Sequence, residues 1–235
     1  MSLRLSNGLR LLSPPGDRAR PTAGRVREAL FNQLRGALTG RRWLDLCCGS
    51  GAMGCEALLQ GAERVLAVEV DRRIAAVARR NLASLGEAYS GRWRVLTADV
   101  LHWLKRAPSD GTWQAFDLVY ADPPYRSELY GPLLSGLQNN GWLSARGRVW
   151  LEAGSERPPC LPAPWQERQR RRYGSSLLLE VSLPQAGTAS AAEGAAPPAV
   201  LIPGGNEQAE QGDGDQTQND AAEQGFDHGA GSERN

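Results

Sequence analysis

Residues 41–54 read Arg41-Arg42-Trp43-Leu44-Asp45-Leu46-Cys47-Cys48-Gly49-Ser50-Gly51-Ala52-Met53-Gly54. The first six predict a short buried strand. The glycines that follow permit a tight turn and let a ligand come close to the backbone. Residues 52–60 then predict a helix whose first unpaired N–H groups favour a phosphate or a carboxylate. A strand that passes through a glycine turn into a helix is the opening unit of a doubly wound sheet. The rest of the chain repeats that alternation. Strands are expected at 64–69, 93–98, 116–120 and 147–152. Between them fall a helix capped by Asp71 and closed by Gly86, a short one carrying Leu101 and Leu104, and one near 129–137 stopped by Asn139-Asn140-Gly141. Residues 165–173 and 175–183 predict a closing antiparallel pair that turns at Gly174. The fold class is α/β, a doubly wound, mostly parallel seven-stranded sheet.

Upstream of this body, Leu3, Leu5, Leu9 and Leu11 alternate around Asn7-Gly8, the pattern of a small hairpin. Thr22 is expected to cap a helix that reaches about residue 38, with Val26, Leu30, Leu34 and Leu38 as its apolar stripe. Arg20, Arg25 and Arg27 lie off that stripe, either as a solvated face or as phosphate contacts. Downstream, composition shifts near Pro184 to Ala, Gly, Gln, Pro and acids, which predicts a disordered tail. The expected organisation is a basic extension over 1–38, a catalytic-type domain over 39–183 and an acidic low-complexity tail over 184–235.

The formal net charge of +1 conceals a split between these parts. Of 27 bases and 26 acids, residues 184–235 hold one base and nine acids, which leaves 26 bases and 17 acids in residues 1–183. The body is therefore +9 and the tail −8. A basic folded body points to a polyanionic partner. No apolar run reaches the roughly 20 residues that spanning a bilayer requires, and no secretory h-region is seen. Four cysteines (47, 48, 55 and 160) form no CxxC pair, and the histidines are His102 and His228 only, so neither a zinc site nor a disulfide framework is expected. A reducing, cytoplasmic setting fits this usage.

The chemistry concentrates where predicted strands end. Gly49, Gly51 and Gly54 form a GxGxxG turn, which both dinucleotide oxidoreductases and S-adenosylmethionine enzymes use, with Glu69 placed to accept from ribose hydroxyls. Asp45, four residues ahead of Gly49, can hold the loop or a ligand's ammonium group. Asp99 ends the third strand, where it can meet an adenine amine or simply cap a helix. The fourth strand runs into Asp122-Pro123-Pro124-Tyr125. Prolines have no N–H, so their carbonyls face outward as acceptors on a stiff backbone; an adjacent carboxylate adds two more, and Tyr125 adds a flat face. Such a slot suits a planar group with an exocyclic NH2, as in a nucleobase, although Asp-Pro-Pro also punctuates ordinary turns.

Taken together, DxxxGxG and Asp-Pro-Pro-Tyr resemble the signature of class I amino-directed methyltransferases. Arg20-Pro21-Thr22, Arg25-Val26-Arg27-Glu28-Ala29-Leu30-Phe31-Asn32, Glu69-Val70-Asp71-Arg72 and Asn140-Gly141-Trp142-Leu143 closely resemble the RsmD family of bacterial 16S rRNA guanine-N2 methyltransferases. The resemblance covers residues 1 to about 183. It departs from the family pattern at Ala23-Gly24, usually Thr-Asp, and at Cys47-Cys48, usually an aromatic residue and Ala. It implies a Rossmann-like fold and S-adenosylmethionine as cofactor, held by Asp45, Gly49, Gly51, Glu69 and Asp99. It further implies a guanine gripped by Asp122, Pro123, Pro124 and Tyr125, and RNA contacts from Arg20, Thr22, Arg25 and Arg27. The implied partner is 16S rRNA or a small-subunit assembly intermediate, with no metal and no membrane. Other acceptors for the same slot are an adenine or cytosine amine or a protein glutamine amide. Readings from other classes are a nicotinamide oxidoreductase, which leaves the Pro-Pro slot unused, and a non-catalytic RNA-binding module.

Overall fold

The computed structural model describes residues 3–14, 21–108, 113, 115–124 and 127–185. Arg20, Tyr125 and the stretch from 186 onward lie outside these residues, as does the side chain of Thr22. All the elements described below belong to one compact unit.

Seven strands form one sheet in the order β3-β2-β1-β4-β5-β7-β6. The strands are β1 Arg42–Leu46, β2 Arg64–Glu69, β3 Trp93–Thr97, β4 Phe116–Ala121, β5 Leu143–Gly154, β6 Gln166–Tyr173 and β7 Ser176–Ser182. β3, β2, β1, β4 and β5 are mutually parallel, while β7 runs antiparallel between β5 and β6. Strands β1, β2 and β4 are apolar almost throughout, as burial on both faces demands. The helices are α1 Pro21–Gln33, α2 Ala52–Leu59, α3 Arg72–Ala83, α4 Val100–Leu104 and α5 Tyr130–Asn139. One core cluster joins α1, α2, α3 and the N-terminal hairpin to the sheet; a second, on the other face, is built on α4 and α5.

The register sets up everything at the carboxyl edge. Asp45 pairs with Ala67 of β2 and with Tyr120 of β4, and Tyr120 pairs with Trp150 of β5. Cross-strand partners point to the same face, and side chains repeat that direction every second residue. Two residues further along each strand stand Glu69, Cys47, Asp122 and Glu152. One row across the strand ends therefore carries three carboxylates and a thiol.

The expected hairpin is present: Arg4 bridges Arg10, Leu5 N donates to Leu9 O at 3.0 Å, and Leu5 and Leu11 are buried. Asp71 caps α3 through hydrogen bonds from Arg73 N and Ile74 N. Three boundaries differ from the sequence reading. Helix α1 begins at Pro21, so Thr22 is a helical residue and not the cap; proline suits a first turn, where no N–H partner exists. The same helix ends at Gln33, because Gly36 adopts φ 77°, although Leu34 and Leu38 remain fully buried beyond it. Strand β5 starts at Leu143, four residues early. Its register with β4 shifts between Phe116 and Leu118, and a Cβ on Gly147 would lie 2.5 Å from the Leu143 side chain. Only glycine fits that bulge.

Gly54, the third glycine of the turn, serves packing. A Cβ there would sit 2.9 Å from Val65 Cγ1 on β2. Gly54→Val should therefore lower unfolding stability by about 1–3 kcal/mol through overpacking, measured by chemical denaturation. An unchanged midpoint would show that α2 does not lie so close to β2.

Candidate active site

The loop after β1 is wound tightly. Cys47, Gly49 and Gly51 all take positive φ (59°, 54° and 75°), and for Cys47 that conformation costs energy which the surroundings must offset. Two carboxylates hold the loop in place. Glu69 accepts from Gly49 N and from Asp71 N, both at 3.0 Å, which ties the loop to the start of α3. Asp45 accepts from Gly54 N at 3.1 Å, which ties it to the first turn of α2. The N-cap position of α2, Gly51, offers no side-chain cap; Asp45 takes the Gly54 N–H of the first turn, and Ala52 and Met53 line the pocket.

Asp45 is completely buried, and its Oδ1 has no hydrogen-bond partner. Burial pushes its pKa up to about 8; the Gly54 hydrogen bond opposes the shift, while the charges of Asp122 and Glu69 add to it. The Cys47 thiol is likewise pushed up to about 12, first by burial and then by Glu69, Asp122, Asp45 and Asp99 in that order. Asp45 and Asp122 thus line one pocket with Cys47, while Glu69 holds the loop from behind and Asp99 acts on the thiol only through its charge. Cys47 and Cys48 stay protonated here and act as small lining groups, not as nucleophiles. Among the described residues no group of three or more His, Cys, Asp or Glu is arranged to hold a metal ion.

Asp122 is half-buried just past β4, with its backbone N 3.3 Å from Leu46 O. Pro123 is buried and Pro124 exposed. Asp45, Cys47, Gly49 and Asp122 line a single pocket, so nothing walls the acceptor slot off from the glycine loop. Glu69 stands behind that loop. Asp99 is exposed and caps α4, its Oδ1 accepting from His102 N at 2.7 Å. Arg25 is exposed on α1. Arg27, expected on a solvated face or in phosphate contact, is instead 6% exposed, with its guanidinium held by Arg4 O and Glu56, and the residue lines the same pocket.

Several contributors were not singled out from sequence. Glu152, buried at the end of β5, accepts from Tyr120 Oη at 2.5 Å and from Ser176 Oγ at 3.1 Å, while its carbonyl accepts from Tyr130 Oη at 2.8 Å. Its signal was available: an acid closing an apolar strand, as Glu69 does. Arg27 and Glu56 form a buried pair at 3.8 Å beneath the hairpin, where Arg27 donates to Arg4 O and Glu56 accepts from Ser6 N. Asn81, 1% exposed in α3, donates to Leu12 O and to Ser50 O and accepts from Leu12 N, all within 2.9 Å. One amide thereby fastens the N-terminal segment to the glycine loop, and Leu3, Ser13 and Pro14 become a wall of the pocket. Asn81 stands in the last turn of α3, where asparagine is ordinary, so the sequence carried no signal for it.

A family model described as Conserved hypothetical protein 95 matches residues 5–181. The chain is 33% identical over 168 residues to ribosomal RNA small subunit methyltransferase D of Escherichia coli (strain K12), covering 71% of this chain and 81% of that protein. The Haemophilus influenzae protein of the same name is 33% identical over 155 residues, 66% of this chain and 78% of its own length. Among solved structures, the putative methyltransferase yhhF from Escherichia coli superposes with a TM-score of 0.67 at 30% identity, over 79% of this chain and 99% of that one.

The electrostatics of Asp45 make a pH prediction for the unliganded protein. Its folded pKa lies above its unfolded value of 3.8, so between about pH 4 and pH 8 the folded state binds the extra proton. This group's contribution is fully present below about pH 4, is lost progressively as pH rises, and levels off above about pH 8. Asp45→Asn should remove that slope from denaturation curves measured across the range. A variant with the wild-type pH profile would place the titration elsewhere.

Proposed function

This chain belongs to the Conserved hypothetical protein 95 family, the RsmD family, and from that membership we propose that it methylates small-subunit (16S) rRNA. The finer reading is S-adenosylmethionine-dependent transfer to the exocyclic N2 amine of a guanine. The observation that carries it is the row of strand-end carboxylates beside the glycine loop, with Asp122, the first residue of the Asp-Pro-Pro motif, lining the same pocket as Asp45.

The residues present suit such a cofactor. Asp45 Oδ1 is a buried acceptor with no protein partner, suited to an ammonium group. The start of α2, where Asp45 takes only the Gly54 N–H and Ala52 lines the pocket, suits a carboxylate. Glu69 spends one lone pair of each oxygen on backbone N–H groups and keeps the others for ribose hydroxyls. Asp99, with Oδ1 committed to the helix cap, keeps a second oxygen for an adenine amine. When bound, the cofactor supplies an electrophilic sulfonium methyl group. Everything else falls to the chain.

An aryl amine is a weak nucleophile, because its lone pair is delocalised into the ring. Asp122 and the Pro123 carbonyl accept its two hydrogens, which fixes the nitrogen and polarises its N–H bonds. Positive charge grows on that nitrogen as its bond to the methyl carbon forms and the carbon–sulfur bond breaks; the Asp122 carboxylate stabilises that charge and accepts the proton the nitrogen then sheds. Tyr125 retains the stacking role that the family resemblance assigns it. A guanine in a helix must leave its stack to reach the slot, as bases do in other modifying enzymes. Behind the slot, the Tyr120–Glu152–Ser176 network ties β4, β5 and β7 together through hydrogen bonds, and so keeps the wall rigid. Arg25, with Arg20, Thr22 and the basic hairpin, supplies phosphate contacts, and Arg27 reaches the pocket itself.

Asp122→Ala should leave S-adenosylhomocysteine affinity nearly intact and cut turnover by roughly 10²–10³-fold, the size of effect seen when a group that acts only in the transition state is removed. Glu69→Ala should weaken cofactor binding instead, since it frees the loop at Gly49. Equal effects of both variants on binding and turnover would contradict these roles. Mass spectrometry of rRNA nucleosides from a deletion strain decides the acceptor: loss of N2-methylguanosine supports guanine, and loss of a methylated adenosine or cytidine replaces it.

A further inference from the structure

Strand β6 reads Gln166-Glu167-Arg168-Gln169-Arg170-Arg171-Arg172-Tyr173 and forms one edge of the sheet. All four arginines are exposed. Arg170 is neutralised by Glu167, which it grips through two hydrogen bonds at 2.9 and 2.6 Å. Of the other three, Arg168 Nε donates to Ser182 Oγ at 2.8 Å and Arg172 Nε to Gly174 O at 3.0 Å, both neutral acceptors. Among the described residues none of Arg168, Arg171 and Arg172 makes an ion pair. Three positive charges thus stand within five residues, with no acid paired to them.

Register with β7 places Arg171 relative to the pocket; Arg172 pairs with Leu177 and points to the opposite face of the same edge, and Arg168 falls in the bulge between Glu167 and Gln169. Tyr173 pairs with Ser176 and Arg171 with Leu178, so Tyr173 and Arg171 share the sheet face of Ser176. Ser176 lines the pocket and donates to Glu152. Arg171 therefore lies one same-face step beyond the pocket wall, roughly 7 Å along the strand. Further out on this face Gln169 is occupied by Gln33 of α1 at 2.6 Å, and α1 carries the exposed Arg25.

We propose that Arg168, Arg171 and Arg172 form a phosphate-gripping track on the β6 edge that holds the RNA backbone flanking the target base. This rests on the reading that the substrate is RNA. It adds a grip on the sheet edge to the contacts assigned above to the N-terminal hairpin and α1. Guanidinium forks suit bidentate phosphate binding, and a charged edge strand also refuses pairing with another sheet, so the two roles must be separated by experiment.

The test uses the full-length chain and in vitro transcribed small-subunit rRNA, with binding measured between 50 and 200 mM salt. The triple variant Arg168→Gln/Arg171→Gln/Arg172→Gln should bind about tenfold or more weakly. Its log K against log salt slope should be shallower by roughly 0.7–0.9 for each phosphate no longer neutralised, with S-adenosylhomocysteine affinity unchanged. Replacing the same three residues by Lys should retain most of the affinity. If the triple variant loses S-adenosylhomocysteine binding, Arg171→Gln alone should still reduce the slope by one such increment. Unchanged RNA affinity and slope, with cofactor binding intact, overturns the track. So does self-association of the variant with RNA binding unaltered, which assigns the arginines to edge protection. A wild-type chain that binds no RNA overturns the functional reading itself.

Discussion

A carboxylate sealed at the end of a central strand organises this molecule. Asp45 sits on β1, between β2 and β4, with no exposure to solvent and with one of its oxygens unmatched. Burying such a group costs several kcal/mol unless it is neutralised or paired. The fold recovers part of that cost through Gly54 N and the remainder by keeping the proton on. Gly54 can come near enough only because it lacks a Cβ, and the loop can return only because Cys47, Gly49 and Gly51 accept left-handed backbone. The glycine turn is thus shaped as much by the acid behind it as by any ligand in front.

From that point the site divides between two halves of the sheet. The β1 and β2 side, with Glu69 stapling the loop, concentrates acids, which in the proposed reading the positive charge of a bound ligand offsets. The β4, β5 and β7 side is a network of neutral donors on Glu152 with an acceptor slot above it. The N-terminal hairpin closes the pocket through Asn81 and the Arg27–Glu56 pair. A change in the hairpin therefore reaches the loop through one amide side chain: Asn81 holds Leu12 and Ser50 together.

Much of this was legible from the chain alone. The limits of β2, the caps at Asp71 and Asp99, the hairpin at Asn7-Gly8 and the antiparallel pair turning at Gly174 depend on local rules, and local rules found them. The early start of β5 escaped because its bulge depends on how Gly147 packs against Leu143 across a register shift. Arg27 escaped because helical periodicity ranks a residue by its own face, whereas its burial depends on a hairpin folded over it. Glu152 and Asn81 escaped for a related reason. Their partners lie 22 to 69 residues away in sequence, and only the sheet register and the docking of residues 3–14 bring them together. The acids at 45, 69, 99 and 122 could be named from sequence, but the alignment of Glu69 and Asp122 with Glu152 in one row needed the sheet register.

In the proposed reading, Asp45 is a buried carboxyl that holds its proton until a cationic ligand turns Oδ1 into an acceptor. Isothermal titration of S-adenosylmethionine at pH 7, in two buffers of different ionisation enthalpy, tests this directly. Release of close to one proton on binding, abolished by Asp45→Asn, is the expected result, because an ammonium placed at Oδ1 must bring the pKa down from about 8. A binding enthalpy independent of buffer in the wild-type protein would contradict it.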